Sequence, residues 1–158
     1  MKLVVDESVA PGSNAYFGPW MMEKLGGKWF TGRGSVIGLY DTEKKEPVAA
    51  CLFEGHNGAS IMLHVASDGS RKWLNKEYLC FVFHYPFVQL RVSKIISPVE
   101  GSNLSCRSFI EHIGFSLEAT LEGAAPNGDL LIYTMTQKQC RWLTLRKFNV
   151  EAVTATTA

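Results

Sequence analysis

The sequence has no apolar run near the roughly 20 residues needed to cross a bilayer, so no membrane-spanning helix is expected. It has no C-x-x-C pair. Cys51, Cys80, Cys106 and Cys140 stand far apart, which removes the usual spacing of a metal site. A basic excess is also missing: Lys and Arg number 16, Asp and Glu 15, for a formal charge of +1. Holding nucleic acid by phosphate neutralisation needs a basic surplus on one face, so no nucleic-acid partner is expected. The opening Met-Lys-Leu-Val-Val-Asp-Glu reaches acid too early for a signal peptide. Cys51 and Cys80 sit in apolar stretches, where a cysteine is usually a small buried hydrophobe. These features together suit a reduced, cytoplasmic protein.

What is present is enough apolar material for a core. Hydrophobic residues make up 46% and aromatic residues 11% of 158 positions, which fits one domain. That domain is read as residues 1–148. The Thr/Ala-rich tail, residues 149–158, has little to bury and is expected to be disordered.

Residues 1–13, with Pro11 and Gly12, read as an irregular lead. Tyr16, Met21, Met22 and Leu25 recur at helical spacing over residues 14–25, and Gly26-Gly27 ends the segment. Strands are expected at 35–41, 47–54 and 60–66, the last two joined by a turn containing Asn57-Gly58. A long helix is expected over 71–83 from the period of Trp73, Leu74, Glu77, Tyr78, Phe81 and Val82, with Pro86 marking its end. A buried-type strand at 92–96 stops before Pro98. A helix at 104–113 starts from Ser102 or Asn103 and stops at Gly114. Two strands, 115–122 and 130–136, close the order. Strands joined by crossing helices imply partly parallel pairing, hence a mixed α/β fold. Such a sheet binds ligands where two strands joined through a helix splay apart.

The run Asn103-Leu-Ser-Cys-Arg-Ser-Phe-Ile-Glu-His-Ile-Gly-Phe115 resembles the helix and exit of the GNAT superfamily of N-acyltransferases, with Asn103, Glu111, Gly114 and Phe115 at the matching spacing. The segments 116–122 and 128–135 look like the closing hairpin of the branch acting on protein amino groups. Trp73, Tyr85-Pro86-Phe87 and Cys140-Arg-Trp-Leu143 look like short acyltransferases found in bacteriophage genomes. The resemblance implies a GNAT-like, partly splayed central sheet flanked by helices, acetyl-CoA as donor, and a primary amine of a protein or small molecule as acceptor. It also implies a monomer or homodimer.

Site residues follow from that resemblance. Family members carry a phosphate loop of the form Arg/Gln-x-x-Gly-x-Gly/Ala before the long helix; this chain has Ser67-Asp68-Gly69-Ser70-Arg71-Lys72. Backbone N–H groups at Gly69 and Ser70 would make an anion nest, and Arg71 and Lys72 would pair with phosphates. Asp68 places a negative charge beside them, and an ordinary helix cap with solvated basic residues is the competing reading. Asn103 opens the second cofactor-facing helix. A backbone N–H near Val65 would polarise the thioester carbonyl.

Where relatives carry a proton-donating Tyr, this chain has Ile110. Cys106 takes the position of an alternative Ser donor, or simply packs under its helix. Glu54 and His64 are candidates for the base that frees the amine, or for structural roles. His56 and His84 are weaker candidates. Trp29 and Phe30, beside Thr31-Gly-Arg-Gly34, belong either to packing or to an acceptor groove. Arg141, Arg146 and Lys147 read as a solvated face. The competing function is a catalytically inactive binding module of the same fold, such as a phage protein acting on a host factor or in the particle.

Overall fold

The apolar strand segments assemble into a seven-stranded sheet in the order β1-β2-β3-β4-β5-β7-β6. The structure, a computed structural model, describes residues 1–71 and 74–145. Its strands are β1 (Lys2–Val5), β2 (Ser35–Asp41), β3 (Glu46–Glu54), β4 (Ser60–Ser67), β5 (Lys94–Glu100), β6 (Ser116–Ala125) and β7 (Gly128–Thr136). The helices are α1 (Ser13–Leu25), α2 (Lys76–His84) and α3 (Leu104–His112). Every described strand pairing is antiparallel except β4 with β5. This is the mixed α/β arrangement expected, with helices on both faces.

Each face has its own core. On one face α1 buries Phe17, Met21 and Met22 against Val36, Ala50, Leu52 and Ala66. On the other, α2 and α3 bury Tyr78, Val82, Phe83, Ile110 and Ile113 against Ile37, Cys51, Phe53, Leu63 and Ile95. The buried hydroxyl of Tyr78 donates to Ile37 O at 2.7 Å, so its burial leaves no orphaned donor.

Four expectations are corrected. The lead contains β1, which pairs with β2 from Lys2↔Asp41 to Val5↔Gly38. A four-residue strand has too little alternation to be read without its partner. The long helix begins at Lys76 rather than residue 71, because Asn75 caps it by accepting Tyr78 N–H at 2.6 Å. Trp73, expected on that helix, lies outside the described residues, as do Lys72, Arg146, Lys147 and the 149–158 tail. Pro86 does not stop the helical path, which continues as a π turn over Tyr85–Gln89. Pro86 lacks the N–H that a continuing α-helix would bond to Val82 O, and the change of helical type falls where that bond is lost. Finally, β5 runs to Glu100 through Pro98, which registers with Ile132. Past Ile96 a strand lies on one side of β5 only, and such edge-like positions tolerate proline.

The place where β4 and β5 part is set by register. They share three pairs, Ser60↔Lys94, Ile61↔Ile95 and Met62↔Ile96. Beyond them the buried Ser97 reaches across, its Oγ donating to Leu63 O at 3.1 Å. Ser97→Ala should therefore cost about 1–3 kcal/mol, the range for stranding a buried polar partner. Urea unfolding checks this: the midpoint should fall while the slope stays constant.

Candidate active site

The gap between β4 and β5 presents polar backbone. Ala59 O accepts Ser93 N–H at 2.8 Å, and Leu63 O accepts Ser97 Oγ, so both carbonyls face β5. Backbone direction repeats every two residues along a strand. Val65 therefore directs its N–H and C=O the same way, into the gap beyond the last β4–β5 pair. A strand edge of this kind accepts an extended arm by main-chain pairing.

The hairpin before the gap places two titratable side chains on one face. Gly55 takes the left-handed φ of 69° after Glu54. Asn57 Oδ1 then accepts the N–H groups of Ala59 and Ser60 at 2.9 and 2.8 Å. The resulting register sets Met62 opposite Glu54 and His64 opposite Leu52. Glu54 and His64 thus share the α1 face, and His64 Nε2 lies 2.9 Å from Glu54 Oε1.

A third member joins them that the sequence reading did not assign. Arg33 Nε donates to Glu54 Oε2 at 2.8 Å and its Nη2 reaches Oε1 at 3.4 Å. Its Nη1 donates to Lys28 O at 2.6 Å and meets Met22 Sδ at 2.8 Å. The loop carrying Arg33 is pinned at both ends. A Cβ on Gly18 of α1 would lie 2.2 Å from the Trp29 ring, and one on Gly34 would lie 2.3 Å from Phe53 O. The Gly-rich stretch 31–34 was the available signal, but it named a turn and not a contact.

The electrostatics follow from these contacts. Arg33, Glu54 and His64 side chains are 18%, 16% and 24% exposed, so the cluster is largely out of water yet reachable. The Arg33 hydrogen bond, with help from His64, holds the Glu54 carboxyl below its ordinary value against the opposing effect of burial. A carboxylate so paired is a poor base. As an acceptor it selects the Nε2–H form of neutral His64, which leaves the lone pair on Nδ1. Glu54 therefore orients, and His64 has the free nitrogen.

The loop after β4 behaves differently from the nest expected there. Gly69 N–H donates to Ser67 Oγ at 3.2 Å, and Ser70 N–H and Oγ donate to Asp68 Oδ1 at 2.8 and 2.7 Å. Burial raises the Asp68 carboxyl, but the Ser70 bonds outweigh it and the net direction is down. The two N–H groups that would cradle a phosphate are held by the protein's own oxygens. Arg71 is exposed beside them.

At α3, Asn103 Oδ1 accepts Cys106 N–H at 3.1 Å and caps the helix. Cys106 is half-buried against the core, and burial pushes its thiol up. Ile110 is fully buried in the α2–α3 core, so that position packs. Tyr133 of β7 is buried too, and its hydroxyl donates to Glu111 Oε1 at 2.8 Å while accepting Arg107 Nε at 3.4 Å. These contacts fasten α3 to the sheet. His56 is exposed in its turn, and burial lowers His84.

The same architecture occurs in solved acetyltransferases. A mutant form of the spermidine N-acetyltransferase SpeG from Vibrio cholerae superposes with a TM-score of 0.69 at 13% identity, covering 92% of this chain and 98% of that one. A GNAT-family acetyltransferase from Bacillus anthracis gives 0.55 at 14% identity; the match covers 65% of this chain and spans 66% of that one. The ribosomal-protein-S5-alanine acetyltransferase from Vibrio fischeri gives 0.59 at 9% identity, covering 82% and 71%. No protein-family model matches the sequence. No curated protein matches it either. The chain thus has the GNAT acetyltransferase fold, at sequence identities that speak for the fold alone.

The Arg33–Glu54 pair makes a pH prediction. A carboxyl lowered in the folded state adds stability that is complete above its unfolded pKa of about 4.3. That stability is lost as pH falls through the lower folded value. Glu54→Gln should cost about 1–3 kcal/mol at pH 7, because Arg33 then lacks its counter-charge. The gap between variant and parent should narrow progressively as pH falls below about 4.3. Urea unfolding at pH 7, 5 and 3.5 measures it.

Proposed function

We propose that this chain is an N-acetyltransferase that moves an acetyl group from acetyl-CoA to a primary amine. The observation that carries the reading is the juxtaposition at β4. Val65 directs its N–H into the β4–β5 gap, and His64, the residue before it, presents a free Nδ1 backed by Glu54. The shared acetyltransferase fold supports it. The resemblance of Tyr85-Pro86-Phe87 and Cys140-Arg-Trp-Leu143 to phage-encoded acyltransferases supports reading it as an enzyme that acts in a host cytoplasm.

When bound, acetyl-CoA supplies an acyl thioester whose carbonyl carbon accepts a nucleophile. Val65 N–H donates to the carbonyl oxygen as it gains charge. His64 Nδ1 takes the proton that the arriving ammonium must lose, and the imidazolium so formed donates through Nε2–H to Glu54. His64 passes that proton to solvent; the amine lone pair forms the C–N bond, His64 Nδ1 takes the second N–H proton, and the C–S bond breaks onto sulfur. Cys106 gives that sulfur its proton and recovers one from solvent. Its burial disfavours the thiolate, so it donates only to a sulfur of comparable basicity. Asn103 orients the start of α3, which carries Cys106. Gly69, Ser70, Arg71 and, on sequence alone, Lys72 are assigned to the pyrophosphate.

The occupied N–H groups of Gly69 and Ser70 favour a second reading, a binding module of this fold that has lost turnover. Calorimetric titration with acetyl-CoA separates the two. The enzyme reading expects binding below millimolar concentration and a rise in melting temperature by mass action. No heat and no melting shift would leave the module. With binding established, His64→Ala should lower kcat by about 10²–10⁴-fold at unchanged coenzyme affinity. Cys106→Ala should do the same if Cys106 donates, and lose only stability if it packs.

A further inference from the structure

Arg33 occupies both groups of the cluster that would otherwise receive a cation. Glu54 Oε2 takes Arg33 Nε at 2.8 Å, and Oε1 takes His64 Nε2 at 2.9 Å and Arg33 Nη2 at 3.4 Å. Phe30, exposed at 60%, has the same guanidinium 6.0 Å from its ring centroid. A carboxylate and an aromatic face are the two usual receptors for an ammonium. Here one residue holds both.

Arg33 is also fixed. Its Nη1 bonds to Lys28 O at 2.6 Å and meets Met22 Sδ at 2.8 Å, so α1, its following loop and the end of β3 all hold it. At 18% exposure it is screened far less than a surface arginine. The Arg33 guanidinium is the counter-charge of the Glu54 carboxylate, so this pair carries no net charge. An acceptor carrying a second cation would meet a guanidinium and, within this cluster, no open carboxylate.

We propose that the acceptor is a primary amine without a second positive charge, and that Arg33 is the residue that sets this specificity. The inference rests on the acetyltransferase reading and names its substrate class. The chemistry that fits is a weakly basic α-amine with uncharged flanks. Its reference pKa is about 7.7–8.0 against about 10.4 for an alkyl ammonium such as lysine. At neutral pH the free base is then roughly 300-fold more abundant, which suits a single imidazole base. The nearby guanidinium lowers an approaching ammonium further. Spermidine N-acetyltransferases share the fold, so the polyamine alternative is the one to test against.

The experiment measures kcat/KM for the intact protein and acetyl-CoA with three acceptors: an uncharged tripeptide amide with a free α-amine, Nα-acetyl-lysine amide, and spermidine. The peptide should exceed spermidine by about tenfold or more. Arg33→Gln, which opens Glu54 and Phe30, should narrow or invert that ratio, chiefly through the KM for spermidine. Arg33→Lys, which keeps the charge, should hold the parent's preference. Spermidine equal to or better than the peptide in the parent protein overturns the inference, whatever the variants do. So does an unchanged ratio in folded Arg33→Gln, or coenzyme binding with none of the three acetylated. A protein that binds no acetyl-CoA overturns the enzyme reading instead, and this inference with it.

Discussion

Everything proposed for the site depends on β4 and β5 ceasing to pair after Met62↔Ile96. The two strands have stronger attachments elsewhere. β4 stays registered with β3 from Glu54↔Met62 to Ala49↔Ser67, and β5 with β7 from Lys94↔Thr136 to Glu100↔Leu130. Each antiparallel pair twists on its own, so the single parallel contact between them is where the sheet opens. Ser97 closes the crotch by satisfying Leu63 O, and the next outward-facing group along β4, at Val65, is left to the gap. Beyond Met62↔Ile96 no described strand pairs with this edge of β4, which leaves its backbone polar, and helices cover both faces of the sheet.

Two carboxylates next to β4 in space or sequence are held below their ordinary values by different means. Glu54 is held by Arg33, twenty-one residues away in sequence and anchored to α1 and its loop as well. Asp68 is held by Ser70, two residues away within one loop. Breaking the first contact disturbs packing on several elements; breaking the second requires only a local turn to change. Glu54 is thus a fixed member of its side-chain cluster, while Asp68 is an exchangeable occupant of its loop.

The sequence made most of the frame legible, because that frame rests on local signals. The strand at residues 35–41 has the expected bounds, and Asn103 with Gly114 marks both ends of α3. Long-range partners decide what it did not show. β1 exists through β2, Pro98 is tolerated because β4 has departed, and the start of α2 is fixed by Asn75 against an apolar period that began earlier. In the site, Glu54 and His64 were recognisable as residue types suited to proton transfer. Their division of labour was not, since it follows from Arg33, whose role only folding reveals.

On the acetyltransferase reading, the two halves of the proposed donor would meet unlike receptions. The acyl-bearing arm would find an edge of β4 that, among the described residues, no strand pairs beyond Met62↔Ile96. The pyrophosphate would find N–H groups already engaged by Ser67 and Asp68. Each such internal hydrogen bond is worth only about 0.5–1.5 kcal/mol net. A phosphate forming charge-assisted bonds can replace it, with Arg71 available as counter-charge. Displacing Asp68 does not remove its charge from the loop, however, and the repulsion persists after exchange. On the acetyltransferase reading, affinity for the donor would rest mainly on the arm in the β4–β5 gap, with the loop contributing the smaller share.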